Sequence, residues 1–183
     1  MKKYKINEIF YSLQGEGYHT GTPAVFVRFS GCNLKCSFCD TQHEEGEWMT
    51  DEVILSEISR YPASMVILTG GEPSLWVDDA FVERLHQMGK YVCIETNGTR
   101  PVPSQIDWVT CSPKSAGKLH IQRMDEVKVV YEGQDIAVYE TLPVHHFFLQ
   151  PCSGKNIQQT VDCVKTHPKW RLSLQTHKLI DIR

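Results

Sequence analysis

The sequence has no long hydrophobic run. No stretch of its 183 residues approaches the roughly 18 apolar residues that a membrane helix needs. Its opening, Met1-Lys2-Lys3-Tyr4-Lys5, leads into Ile6-Asn7-Glu8 without an apolar signal core. These absences predict a cytoplasmic protein with no membrane attachment. An excess of positive charge is also missing: 19 Lys and Arg stand against 22 Asp and Glu, net -3, so nothing supports bulk electrostatic binding of nucleic acid. Repeats, low-complexity tracts and Pro/Ser-rich linkers are absent too, which predicts one domain over residues 1–183. Seven cysteines without an export signal argue against a disulfide framework and for metal or catalytic use of some of them.

What is present is a series of short β-branched apolar runs: 24–29, 65–68, 91–94, 108–110, 127–130, 147–149 and 172–174. They read as strands. Between them lie helix-period stretches. Over 50–60, Thr50 is a candidate N-cap, followed by Asp51 and Glu52, with Ile54, Ile58 and Tyr61 at helical spacing. Over 78–88 two acids lead, Phe81, Leu85 and Met88 share a face, and Gly89 stands where a C-terminal cap belongs. A third helix is expected over 156–166, ahead of Pro168. The alternation predicts an α/β fold with a mainly parallel sheet. Polar residues gather where strands end: Arg28, Thr69 to Glu72, Glu95 to Asn97, Ser112 to Lys114, Gln150 and Gln175 to His177. That suits a barrel rim, but a full barrel takes about 250 residues, so a partial, open β/α barrel is expected.

The most specific feature is the segment Gly31-Cys32-Asn33-Leu34-Lys35-Cys36-Ser37-Phe38-Cys39-Asp40-Thr41, a C-x3-C-x2-C spacing just after a strand. Cys93, Cys111, Cys152 and Cys163 are scattered singly, so no second cysteine pair completes a structural zinc site locally. Three thiolates suit an iron–sulfur cube, which normally takes four cysteines and here would keep one iron open to a small chelating molecule. The spacing also fits a zinc site completed by His43 or a distant cysteine, or three unligated thiols.

With Thr69-Gly70-Gly71-Glu72-Pro73 after the next strand, the loop resembles the radical S-adenosylmethionine (SAM) superfamily. The resemblance implies one 4Fe-4S cluster on Cys32, Cys36 and Cys39, SAM chelating its open iron, and a 5'-deoxyadenosyl radical released by one-electron cleavage. Further segments narrow it: Phe10 to Gly17, Cys39-Asp40-Thr41, Glu95 to Thr99, Ser112-Pro113-Lys114, Leu149-Gln150-Pro151 and Trp170 to Lys178. Together these resemble the 7-carboxy-7-deazaguanine synthase family. That implies ring contraction of 6-carboxy-5,6,7,8-tetrahydropterin with loss of ammonia and regeneration of SAM, on the route to the queuosine base. It also implies a homodimer and an electron donor such as flavodoxin or ferredoxin. Magnesium would lie on Thr41, whose hydroxyl suits a hard cation.

For SAM the matched positions are Phe38, Cys39, Asp40, Gly71, Ser112, Pro113, Lys114 and Gln150, Pro151, Cys152, Ser153. For the substrate they are Leu13, Gln14, Gly15, Arg28, Thr69 and Arg183, the last through its terminal carboxylate. Glu16, Glu72, Glu95, Asn97, Gln175 and His177 are further candidates. An arginine among apolar strand neighbours needs an anion, which is either a substrate carboxylate or an internal partner such as Glu72 or Glu95. Another small radical SAM enzyme, such as a glycyl-radical activating enzyme, and a non-enzymatic zinc-binding module are the alternative readings.

Overall fold

The computed structural model describes residues 2–39, 41, 43–114 and 119–183. Its strands are β1 (Lys3–Leu13), β2 (Pro23–Phe29), β3 (Glu47–Thr50), β4 (Met65–Gly70), β5 (Tyr91–Thr96), β6 (Trp108–Cys111), β7 (Glu126–Tyr131), β8 (His146–Pro151) and β9 (Trp170–Leu172). The helices are α1 (Asp51–Ser59), α2 (Asp79–Gln87), α3 (Ile157–Thr166) and α4 (Thr176–Leu179). The strands form one sheet in the order β3-β1-β2-β4-β5-β6-β7-β8-β9. Every neighbouring pair from β2 onward is parallel, whereas β1 runs antiparallel to both β2 and β3. The two ends of the sheet do not join. The expected open, mainly parallel α/β sheet is therefore observed.

Period-2 alternation divides the strands between two layers. Val25, Val27, Phe29, Val66, Leu68, Val92 and Ile94 pack against α1 and α2, and Val127, Val129, Phe147 and Leu149 form a second core with Trp170. Full burial of each such side chain contributes roughly 1.5–3 kcal/mol. The residues between them face the hollow of the sheet. Ala24, Phe26, Met65, Ile67 and Cys93 close its lower half as a third apolar cluster. Higher on β2, β4 and β5 the inward positions turn polar, at Arg28, Thr69 and Glu95, and β7 and β8 add Lys128 and Gln150. Apolar packing thus anchors one half of the hollow and leaves the other half for chemistry.

Two strands escaped the sequence reading. Residues 10–13 lie at the end of β1, not in a loop, and β3 pairs with β1 to extend the antiparallel edge. Their mixed polar sequences follow from edge placement, where only part of each strand is covered. The last parallel strand lies at 170–172, not 172–174, because Trp170 is the residue that reaches the core.

Helix signals held. Thr50 caps α1 through Val53 N, Gly89 adopts φ +70° after α2, and the Asp78 carboxylate accepts from Phe81 N at 3.0 Å. Desolvation alone would raise the Asp78 carboxyl, but Lys2 Nζ at 2.7 Å and the Phe81 N–H hold it below the ordinary carboxylate range. A depressed folded value means stability that is present above the unfolded value of about 4 and lost as pH falls through the folded one. Asp78→Ala is expected to cost about 1 kcal/mol at neutral pH. In urea titrations the gap from the parent protein should close below about pH 4; a gap unchanged into acid would refute the cap.

Among the described residues no helix is long and apolar enough to cross a membrane.

Candidate active site

The loop following β2 is held to the turn following β4 by backbone hydrogen bonds. Gly71 N donates to Phe29 O at 3.0 Å and Glu72 N to Gly31 O at 2.9 Å. A Cβ on Gly71 would stand 2.0 Å from Gly31 O, so only glycine lets the two segments lie this close. The cysteine-bearing loop and the Gly-Gly-Glu-Pro turn are thus one unit.

Cys32, Cys36 and Cys39 are free thiols facing one cavity of about 530 Å³, within the range of small-molecule sites. Burial pushes the Cys36 thiol up, Lys114 opposes this, and Cys32 and Cys39 are near enough to raise it further. The donor set fits an iron–sulfur cube, which takes one thiolate per iron. Among the described residues no three His, Cys, Asp or Glu side chains, the three loop cysteines included, already stand as a closed set around a single metal ion. His43 Nδ1 is buried without a protein partner in the cavity wall.

The same cavity is lined by Leu13, Gln14, Gly15, Glu16, Arg28, Phe38, Thr41, Thr69, Gly71, Glu95, Asn97, Ser112, Lys114, Gln150, Pro151, Cys152, Ser153, Gln175, His177 and Arg183. Every expected position is there except three. Asp40 lies outside the described residues. Pro113 is buried and does not line the cavity, although Ser112 and Lys114 beside it do. Glu72 is fully buried beneath it: its carboxylate accepts from Thr96 Oγ1 at 2.7 Å, Asn97 N at 2.7 Å and Ser74 N at 3.1 Å. With three internal donors, most of its acceptor capacity goes to bracing the turn.

Arg28 was expected to meet a substrate or Glu72 or Glu95. The internal partner is neither of those glutamates but Glu8, with Arg28 Nε 2.8 Å from Glu8 Oε1. Register explains this, since Glu8 of β1 stands directly opposite Arg28 of β2. Glu8 also pairs with Arg183, whose carbonyl accepts from the Ser12 hydroxyl. The guanidiniums of Arg28 and Arg183 lie 5.6 and 5.2 Å from the Phe10 ring centroid. Glu8 escaped the sequence reading because β1 did.

The segment after β1 crosses the hollow of the sheet. Gly17 N donates to Ser173 Oγ at 2.9 Å, Tyr18 N to Glu126 Oε2 at 2.8 Å, and Gly15 O accepts from Thr176 N at 3.0 Å. A Cβ on Gly15 would meet the His177 ring at 2.1 Å. This crossing brings Gln14 Nε2 to Glu95 Oε1 at 3.0 Å and Glu16 to Lys128, with Gln175 Nε2 on Glu16 Oε1 at 2.8 Å. Lys128 was not singled out from the sequence. Its signal was a lysine on the inward phase of a buried strand, two residues from Glu126. Desolvation would raise the Glu16 carboxyl, but the Lys128 ammonium and Gln175 hold it below the usual range. Burial likewise opposes the charge of Lys128, yet Glu16 and Glu95 keep it above the ordinary lysine range.

The family profile of the radical SAM superfamily matches residues 26–131. A 7-carboxy-7-deazaguanine synthase of Bacteroides thetaiotaomicron is 79% identical over 98% of both chains. The chain belongs to this family of radical SAM enzymes. The 7-carboxy-7-deazaguanine synthase of Burkholderia multivorans is 40% identical over 98% of this chain and 99% of its own. In three dimensions the chain resembles the crystal structure of QueE from Escherichia coli, with TM-score 0.76 and 30% identity over 94% and 93% of the two chains. Membership in the synthase family displaces both the zinc-binding module and the glycyl-radical activating enzyme.

Proposed function

We propose that the chain converts 6-carboxy-5,6,7,8-tetrahydropterin to 7-carboxy-7-deazaguanine with loss of ammonia, as a single-domain cytoplasmic enzyme. The observation that carries this reading is one cavity in which a three-cysteine loop faces a floor of paired carboxylates and amides. When bound, the 4Fe-4S cluster and SAM supply one-electron cleavage and hydrogen abstraction.

The protein's own residues divide the remaining work. Phe38, Gly71, Ser112, Lys114 and the stretch Gln150 to Ser153 line the part of the cavity assigned to SAM. Lys114 Nζ stands 6.0 Å from the Phe38 ring centroid and donates to Ser112 Oγ at 2.9 Å, which fixes that wall. Arg28 presents its terminal nitrogens to the substrate carboxylate, because its Nε is already used by Glu8. Gln14, Glu16 and Glu95 offer acceptors to the N–H groups of a pterin. Thr41 would contribute an oxygen to magnesium beside the substrate. The apolar cluster beneath keeps water from the reacting face. A homodimer and a flavodoxin- or ferredoxin-type donor complete the reading.

The test is anaerobic purification with iron, sulfide and zinc analysis, then incubation with SAM, dithionite, magnesium and the carboxypterin. About four irons per chain and a new deazapurine product are expected. Zinc without iron, and no 5'-deoxyadenosine, would overturn the chemistry. SAM cleavage without pterin turnover would discard the substrate.

A further inference from the structure

Lys128 projects from β7 into the hollow with its side chain only 5% exposed. Its Nζ stands 2.5 Å from Glu16 Oε2 and 3.3 Å from Glu95 Oε1. The two carboxylates come from segments 79 residues apart, yet both line the cavity, each with one amide donor of its own, Gln175 on Glu16 and Gln14 on Glu95. Glu126, on the same side of β7, is the third carboxylate close to Lys128. It is engaged by Tyr18 N at 2.8 Å and the Thr110 hydroxyl at 3.0 Å. His177 of α4 is the other titratable group that acts on Glu16.

A lysine enclosed this completely is costly unless paired. Here it is paired twice, and the pairing fixes the separation and charge of two acceptor groups facing the ligand space. An ammonium has three hydrogens and no lone pair, so it leaves the remaining carboxylate lone pairs as acceptors only. Such a surface matches a ligand edge made of adjacent N–H donors, as the 2-amino-pyrimidinone edge of a pterin is.

We propose that Lys128 is a positioning residue for substrate recognition: by bridging Glu16 and Glu95 it holds them as a paired acceptor that reads the amino-bearing edge of the pterin. This rests on the carboxypterin being the substrate. Without the ammonium, two buried like charges face each other and one carboxylate takes up a proton. An acceptor then becomes an O–H donor aimed at a ligand N–H, and one charge-assisted contact is lost.

The experiment measures binding of SAM, of 6-carboxytetrahydropterin and of its 2-oxo (lumazine) counterpart to the cluster-loaded protein by anaerobic calorimetry, with thermal stability recorded alongside. Lys128→Met is expected to weaken the pterin roughly tenfold to a hundredfold, the loss of one hydrogen bond to a charged group. SAM affinity should stay within about twofold, and the preference for pterin over lumazine should collapse. Lys128→Met/Glu95→Gln keeps the buried charge balance, so it should recover stability without recovering the preference. Should the double variant bind the pterin as the parent does, Lys128 only balances buried charge and the proposal fails. It fails equally if Lys128→Met keeps the preference. Failure of the parent protein itself to bind carboxypterin would instead remove the substrate reading on which the proposal stands.

Discussion

Cys36→Ala is expected to bring iron content and turnover down to background together while the protein stays folded. The loop carrying Cys36 belongs to none of the hydrophobic clusters, so removing its thiol leaves the core untouched. The remaining thiolates of Cys32 and Cys39 would hold only two of the three irons that the loop is placed to anchor. The informative control is Cys93→Ala. Cys93 is 4% exposed in the lower apolar cluster, and burial pushes its thiol well above the usual range. Cys111 is similar, pushed up to about 12 by burial. Such thiols pack as small hydrophobes and do not supply thiolates. Cys93→Ala should therefore keep its iron and lose about 1 kcal/mol of stability. Iron and absorption analysis of the two variants decides the matter; iron retained by Cys36→Ala, or lost by Cys93→Ala, would reassign the ligands.

Arg28→Met is expected to lower kcat/KM by about a hundredfold or more, mostly through KM. Charged hydrogen bonds contribute roughly 1.5–3 kcal/mol each, and a planar fork on a carboxylate makes two of them. Arg28 sits on the same side of the sheet as Thr69 and Glu95, above the apolar cluster, with its Nε fixed by Glu8. Substitution should leave iron content and SAM affinity unchanged. Kinetics with a tetrahydropterin lacking the 6-carboxylate provide the check. The parent enzyme should lose with that compound about what the variant loses with the true substrate, and the variant should scarcely distinguish the two. Equal losses for both substrates in the variant would place Arg28 in the scaffold, as the partner of Glu8 and the Phe10 ring.

Local features were legible in the sequence because their causes are local. Thr50, Asp78 and Gly89 mark helix ends through hydrogen bonds and φ values within a few residues. The parallel strands show as runs covered on both faces. The cysteine spacing and the Gly-Gly turn name three thiolates and a close backbone approach before any fold is known. These patterns determined the α/β class and the cysteine loop, whereas most positions lining the cavity were named through the resemblance to the synthase family.

What tertiary structure alone decided depends on residues far apart in the chain. Strand β1 is flanked by β3 only over its first residues, Lys3 to Ile6, so the rest is half covered and its alternation weak, and with it Glu8 was hidden as the partner of Arg28. Glu72 reads as a candidate ligand in its motif, but the turn rotates its carboxylate onto Thr96 and Asn97. Lys128 reads as an ordinary charge on a strand until the segment after β1 crosses the hollow and sets Glu16 beside it. Desolvation and pairing are properties of the assembled interior, and a charge acquires its role there only when the fold has chosen its neighbours.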